Sequence, residues 1–279
     1  MDGLAIRPAT LDDVRMMADW AAAEGWNPGH DDHHAFYGAD PNGFLVGWQG
    51  DEPISCISAV TYDDTYAFLG FYICRPEFRG RNAGFRLWQE GIQHVGDRTI
   101  GLDGVVDQQP KYKRSGFVLS ERNIRFTGVL DTTPSGASEI RELTGPTPDL
   151  VAYDRGLVPA ERSRFLAHWI NPDHRRALVW HDDGAIRGYG VIRPCRVGYK
   201  IGPLFADRPE IADALLRDLV APVGPAEVAL DVPEPNANGL ALVERYGMKP
   251  SFETARMYRG PAPTLPLDRV YGVTTFELG

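Results

Sequence analysis

The densest chemistry in the chain lies in Cys74-Arg-Pro-Glu-Phe-Arg-Gly-Arg-Asn-Ala-Gly-Phe85, where an apolar run ends, a proline and two glycines shape a turn, and helical periodicity begins. The first amides of a helix have no intrahelical partner, and the macrodipole adds positive potential there, so such a turn can hold an anion. Gly80 and Gly84 would let a bulky ligand approach the main chain. Arg75, Arg79 and Arg81 stand against Glu77 alone, and no acid occupies the first helical turn to fill the site from within. These residues predict a phosphate-binding turn; a solvated basic loop is the other reading of the same charges.

Other reactive side chains carry weaker signals. Cys74 ends an apolar strand, where a small buried hydrophobe is the commoner role than a nucleophile. His30, His33 and His34 cluster after Pro28-Gly29, but without an HExxH pattern or readable supporting ligands, and no metal is expected. No Gly-x-Ser-x-Gly and no Ser/His/Asp set is detectable.

The elements that must position the turn follow from periodicity. A strand at residues 4–7 leads to a helix opened by Thr10, with Asp13 three residues on as a capping box. Strands are expected at residues 43–48, 54–62 and 66–74, then a helix at 82–95 and a strand at 99–105. A short helix at 110–114, closed by Gly116, precedes a strand at 117–129. Residues 131–149 hold prolines, glycines and hydroxyl side chains with no apolar period, and read as a linker. Beyond it the order partly repeats: helix 160–169, strands 176–180, 186–192 and 198–204, helix 210–219, strand 227–232, helix 239–245 and a terminal stretch. Tyr112-Lys-Arg-Ser-Gly-Phe117 and Val243-Glu-Arg-Tyr-Gly-Met248 are matching helix ends, which points to a duplicated domain.

Composition sets the outer limits. The 279 residues are 43% hydrophobic and 24% charged, ordinary for a globular chain of one large or two smaller domains. A net charge of −9 disfavours nucleic acid and anionic membranes as partners. Cys56, Cys74 and Cys195 are too scattered for a disulfide framework. The first residues lack a signal-peptide pattern or a myristoylation start, the last ones are no prenylation site, and no run is long enough to span a membrane, so a cytoplasmic location is expected.

Arg79-Gly-Arg-Asn-Ala-Gly84 resembles the R/Q-x-x-G-x-G/A pyrophosphate loop of the GCN5-related N-acetyltransferases (GNAT), with Asn82 where the family has glycine. Tyr112-Lys-Arg-Ser-Gly-Phe117 resembles that family's Y-e-k-x-G-F segment, and the elements follow in the family's order over residues 4–128. The resemblance implies an α/β (α+β) fold class with two GNAT-like domains, each a mixed, mostly antiparallel sheet flanked by helices. The domains would be residues 1–130 and 150–279, joined by the linker, with the active site in the first and facing the second. It implies an N-acetyltransferase using acetyl-CoA as acyl donor and a primary amine as acceptor, by direct attack in a ternary complex. The alternative is a non-catalytic acyl-CoA sensor or interaction module. The coenzyme would lie between the 66–74 and 99–105 strands, held by Tyr72, Ile73, Cys74, Arg79, Gly80, Arg81, Asn82, Ala83 and Gly84. Main-chain groups of residues 72–74 would polarise the thioester carbonyl. Tyr112 would protonate the departing thiolate, whose parent thiol has a pKa of about 8.5.

The second half resembles a degenerate copy. Val243 stands where the tyrosine should be, and Asp207 and Glu210 are placed to cap the helix start and repel a diphosphate. One coenzyme site per chain is expected, in a monomer or homodimer. The acceptor, a small amine or a peptide amine, would enter across residues 24–34, where Trp26 offers an apolar wall and Asp31 or Asp32 a counter-charge. Glu24, Asp31 and Asp103 are the candidate bases.

Overall fold

The computed structural model describes residues 4–279; Met1–Gly3, the start of the expected first domain and of the targeting motifs considered, lie outside the described residues. β1 (Leu4–Pro8) is followed by α1 (Leu11–Ala23), whose Thr10 hydroxyl accepts from the Asp13 amide while Asp13 closes the capping box. Next come α2 (Asp32–Ala39), β2 (Phe44–Gln49), β3 (Glu52–Thr61), β4 (Tyr66–Cys74), α3 (Ala83–Val95), β5 (Thr99–Val105), α4 (Gln109–Arg114) and β6 (Val118–Leu130). The second half has β7 (Ile140–Leu143), α5 (Pro148–Arg155), α6 (Ser163–Trp169), β8 (Arg176–Asp182), β9 (Ala185–Pro194) and β10 (Tyr199–Ala206). It ends with α7 (Pro209–Val220), β11 (Ala226–Pro233), α8 (Ala237–Arg245), β12 (Lys249–Arg259) and β13 (Val270–Gly272).

All thirteen strands form one mixed, mostly antiparallel sheet in the order β1-β2-β3-β4-β5-β12-β6-β11-β10-β9-β8-β7, with β13 against β10. The halves interlock. β12 comes from the end of the second half but pairs with β5, Thr254 opposite Val105 through Arg259 opposite Ile100. β6 comes from the end of the first half but pairs with β11, Ala226 opposite Leu130 through Pro233 opposite Asn123. Each half thus borrows the other's long final strand. The stretch at residues 131–149 is also more than a linker: it carries β7, paired to β8, and the first residues of α5.

Strand alternation sends side chains to two cores. On one face Cys56, Val60 and Phe71 of the first half join Trp169, Val179 and Tyr189 of the second in one cluster that includes Phe36. On the other face Leu87 and Trp88 of α3 cover Ile57, Leu69 and Leu102, while Leu215 and Leu219 of α7 cover Ile201 and Leu230. No helix among the described residues is long and apolar enough to cross a membrane.

Two parallel pairs mark the sheet's weak seams. β4 runs beside β5 only from Tyr66–Leu69 against Thr99–Leu102, then the strands part. β10 runs beside β11 only from Tyr199–Ile201 against Val228–Leu230. In the second half the opening is filled by the chain itself: Leu204 and Phe205 pair with Gly272 and Val270, and the Val273 amide donates to the Asp231 carbonyl at 2.8 Å. In the first half it stays open.

Candidate active site

A cavity of about 740 Å³ occupies that opening, bounded by β4 from Leu69 to Cys74, by Leu102, Asp103 and Val105 of β5, and by the turn before α3. Its shape begins in β4. Two residues of β4 bulge opposite β3 between Cys56 and Ser58, and Phe71 takes a left-handed φ of 45° there. A bulge leaves main-chain groups outside the ladder, and a positive φ at a phenylalanine is strain of the kind found where function demands it. Gly70, beside the bulge, has no room for a side chain, because a Cβ would lie 2.0 Å from the Glu277 carbonyl oxygen.

At the other end of the cavity Asn82 has φ 67° and ψ 0°, the left-handed conformation its position calls for, and caps α3 without a side-chain bond. The first turn of α3 contains no acid, so its amides remain open to an anion. Arg79 lies across this end: its Nε donates to the Cys74 carbonyl at 2.8 Å, and its Nη2 pairs with Glu24, the residue that closes α1. Tyr72, Ile73, Cys74, Arg79, Gly80, Asn82, Ala83 and Gly84 all line the cavity. Arg81 does not; its guanidinium lies over the Phe78 ring at 5.8 Å. Arg75 is turned away to Glu52 and Glu77.

Tyr112 of α4 lines the cavity, packed 5.5 Å from Trp88 and edge-on to Phe117 at 6.3 Å. Gly104 on β5 makes that approach possible, since a Cβ there would meet the Tyr112 ring at 2.9 Å. Burial, reinforced by Tyr72, pushes the Tyr112 phenol well above its usual range, so it is a proton carrier at neutral pH. Burial likewise raises the Cys74 thiol, only partly opposed by Arg79, which suits a packed side chain rather than a thiolate nucleophile.

The expected bases fare differently. Glu24 lines the cavity, bound to Arg79. Asp103 lines it too, but both its oxygens are held by Arg256 at 3.0 and 2.8 Å, with Asn123 adding a third bond at 3.0 Å. Three donors therefore occupy this carboxylate, which makes Asp103 the counter-ion of Arg256 as well as a cavity-lining group. Asp31 is not in the lining; it pairs with His174 at 3.2 Å. Asp32 is buried against Arg175 and Arg193. Trp26 does line the cavity, its carbonyl gripped by Arg125 at 2.7 Å while Arg125 is bidentate to Asp231.

Several lining residues have no counterpart in the sequence reading. Phe252 and Thr254 arrive on β12, and Phe276 on the segment after β13. No local motif marks them; Phe252 and Thr254 reach the site through strand exchange, and Phe276 through the last segment of the chain. The C-terminal copy also needs one correction. Asp207 does not cap α7: Arg208 is the N-cap, while the Asp207 carboxylate accepts from Tyr153 at 2.9 Å and pairs with Arg269. Glu210 remains in the first turn, paired with Arg208 at 2.8 Å. Among the described residues no group of three or more His, Cys, Asp or Glu side chains is arranged to hold a metal ion.

Residues 11–117 match the acetyltransferase (GNAT) family model, and residues 150–272 match an acetyltransferase (GNAT) domain model. The holothin acyltransferase of a Pseudoalteromonas species is 30% identical over 275 residues, 98% of this chain and 94% of that protein. A putative acetyltransferase from Pyrococcus horikoshii shares the fold at a TM-score of 0.85 with 22% identity, over 100% of this chain and 97% of that one. A tandem GNAT protein from the clavulanic acid biosynthesis pathway aligns at a TM-score of 0.63 with 16% identity, covering 93% of this chain and all of its own.

Proposed function

The chain belongs to the acetyltransferase (GNAT) family of acyltransferases, and on that premise we propose that it transfers an acetyl group from acetyl-CoA to an amine by direct attack. The observation that carries the reading is the open seam between β4 and β5, which runs from an uncapped helix start to a tyrosine kept protonated. In this reading the diphosphate rests on the amides of residues 80–84 and on Arg79. The acyl-pantetheine arm lies along β4, and its thioester carbonyl is polarised by main-chain groups freed at the bulge. The amine nitrogen attacks the carbonyl carbon, the C–S bond breaks, and Tyr112 gives its proton to the thiolate. Glu24 receives the proton that the nitrogen loses, through water. Asp103 keeps Arg256 neutralised beneath the site. The second half contributes walls rather than a second coenzyme site, since β13 fills the equivalent seam.

Calorimetric titration with acetyl-CoA tests the donor site, with one site per chain expected and Arg79→Gln abolishing or sharply weakening it. Thiol release with an amine panel, compared with Tyr112→Phe, tests transfer. Two sites, or none, would refute the reading.

A further inference from the structure

The acids lining the cavity among the described residues are Glu24 and Asp103, and each is neutralised by an arginine. An alkylammonium acceptor needs the opposite: an uncommitted carboxylate to draw it in and to take its proton before attack. What the lining offers instead is aromatic surface. Trp26, Phe252 and Phe276 converge there, the two phenylalanine rings 6.1 Å apart and tilted by 37°. Aromatic faces can attract a cation, but these already hold one. The Arg125 guanidinium lies 5.0 Å from the Phe276 ring and 5.6 Å from Phe252, fixed there by Asp231. A second positive charge would meet an arginine behind the wall.

A polar side chain stands in the same wall, two residues from Phe252 on β12. Thr254 lines the cavity and is 2% exposed, yet its hydroxyl has no hydrogen-bond partner among the described residues. A buried hydroxyl left without a partner costs free energy, and a ligand group that pairs with it recovers that cost.

We infer that the acceptor is a flat, uncharged aromatic or heteroaromatic amine, stacked among Trp26, Phe252 and Phe276, with a ring heteroatom or substituent bonded to the Thr254 hydroxyl. This rests on the acyl-CoA reading above and gives it a substrate class. It also fits the chemistry to the residues at hand. An arylamine is neutral at physiological pH, so its lone pair attacks without prior deprotonation. The C–N bond forms and the C–S bond breaks; the nitrogen, acidified by acylation, passes one proton through water to Glu24, the thiolate takes one from Tyr112, and Tyr112 is reprotonated from solvent.

The test uses the full chain, acetyl-CoA, and two amines of similar size: 4-methoxyaniline and cyclohexylamine, with spermidine as a polycationic control. The expected kcat/KM for 4-methoxyaniline at pH 7 exceeds that for either alkylamine by 100-fold or more, and cyclohexylamine does not overtake it at pH 9. Phe252→Leu and Phe276→Leu raise the arylamine KM about ten-fold, and Thr254→Val raises it for acceptors bearing a polar substituent. Titration with acetyl-CoA shows that each variant is folded, its Kd staying within two-fold of the parent. Equal or better turnover of an alkylamine overturns the proposal. So do leucine variants that bind acetyl-CoA normally and keep the parent arylamine KM, or acetyl-CoA binding with no turnover of any of these amines. Failure of the parent protein to bind acetyl-CoA would instead overturn the acyl-CoA reading, and this proposal with it.

Discussion

Replacing Glu24 by glutamine should tighten acetyl-CoA binding while slowing acyl transfer. Arg79 bridges the Cys74 carbonyl and the Glu24 carboxylate across the diphosphate end of the cavity. A diphosphate can recruit that guanidinium only by competing with Glu24. The two side chains are 51% and 35% exposed, and a pair so open to water contributes about 0.2–1 kcal/mol. With 1.4 kcal/mol per factor of ten, removing the competition lowers Kd by about 1.5- to 5-fold. The gain should shrink in concentrated salt, which screens the pair. Titration calorimetry with acetyl-CoA and with S-acetylpantetheine separates the effect from general loosening, since the pantetheine compound has no diphosphate for the freed arginine. Arg79→Gln is the opposing control: losing a charged hydrogen-bond donor costs about 1.5–3 kcal/mol of acetyl-CoA affinity. If Glu24→Gln bound acetyl-CoA no more tightly than the parent, or gained equally for both compounds, the competition argument would be wrong.

Tyr112→Phe should lower kcat by about 10²- to 10⁴-fold with acetyl-CoA Kd unchanged in calorimetry. Because burial raises its pKa, Tyr112 stays protonated as pH rises, so the parent's kcat should show no falling limb from this group below about pH 10. Gly70→Ala places a Cβ against the Glu277 carbonyl, and main chain cannot swing aside like a side chain. Thermal unfolding should report a loss of about 1–3 kcal/mol, together with a raised acceptor KM from displaced Phe276. Arg256→Met leaves Asp103 as an unpaired buried carboxylate and should cost about 3–5 kcal/mol in denaturant unfolding. Glu277 is raised by burial, though Lys200 and Arg125 oppose it. A raised carboxyl favours the folded state at pH below its unfolded value of about 4.3 and loses that benefit as pH climbs through its folded value. Glu277→Gln should therefore gain stability relative to the parent as pH goes from 4 to 8, and a constant difference across that range would count against this.

The features read correctly from sequence were those written in contiguous residues. Thr10 and Asp13 announce their capping box because it depends on neighbours a few positions away. The same kind of reading failed at Asp207. Its spacing to Glu210 imitates a cap, but Tyr153 and Arg269, distant in sequence, claim the carboxylate first. The ion pair of Asp103 was hidden for a related reason: nothing near residue 103 foretells that β12 will bring Arg256 opposite it. Residues 131–149 lack an apolar period because β7 is short and at the sheet's edge, so only part of it needs burial. Phe252, Thr254 and Phe276 were illegible on any local reading, since they are far in sequence from the turn with which they line the cavity.

The exchange of β6 and β12 also has a consequence while the chain is being made. β5 is complete once Val105 has left the ribosome, but its neighbour ends at Arg259. At typical synthesis rates of about 5–20 residues per second, that interval lasts on the order of 10–30 s. Throughout it the nascent first half presents an unpaired strand edge to the cell, and β6 has no β11 to receive it. An open edge recruits other strands, so a chaperone that shields nascent chains should matter more for the yield of this protein than for its stability once released. A stop codon placed between the halves would make that transient permanent, and an expressed first half should accumulate as aggregate rather than as a smaller working enzyme.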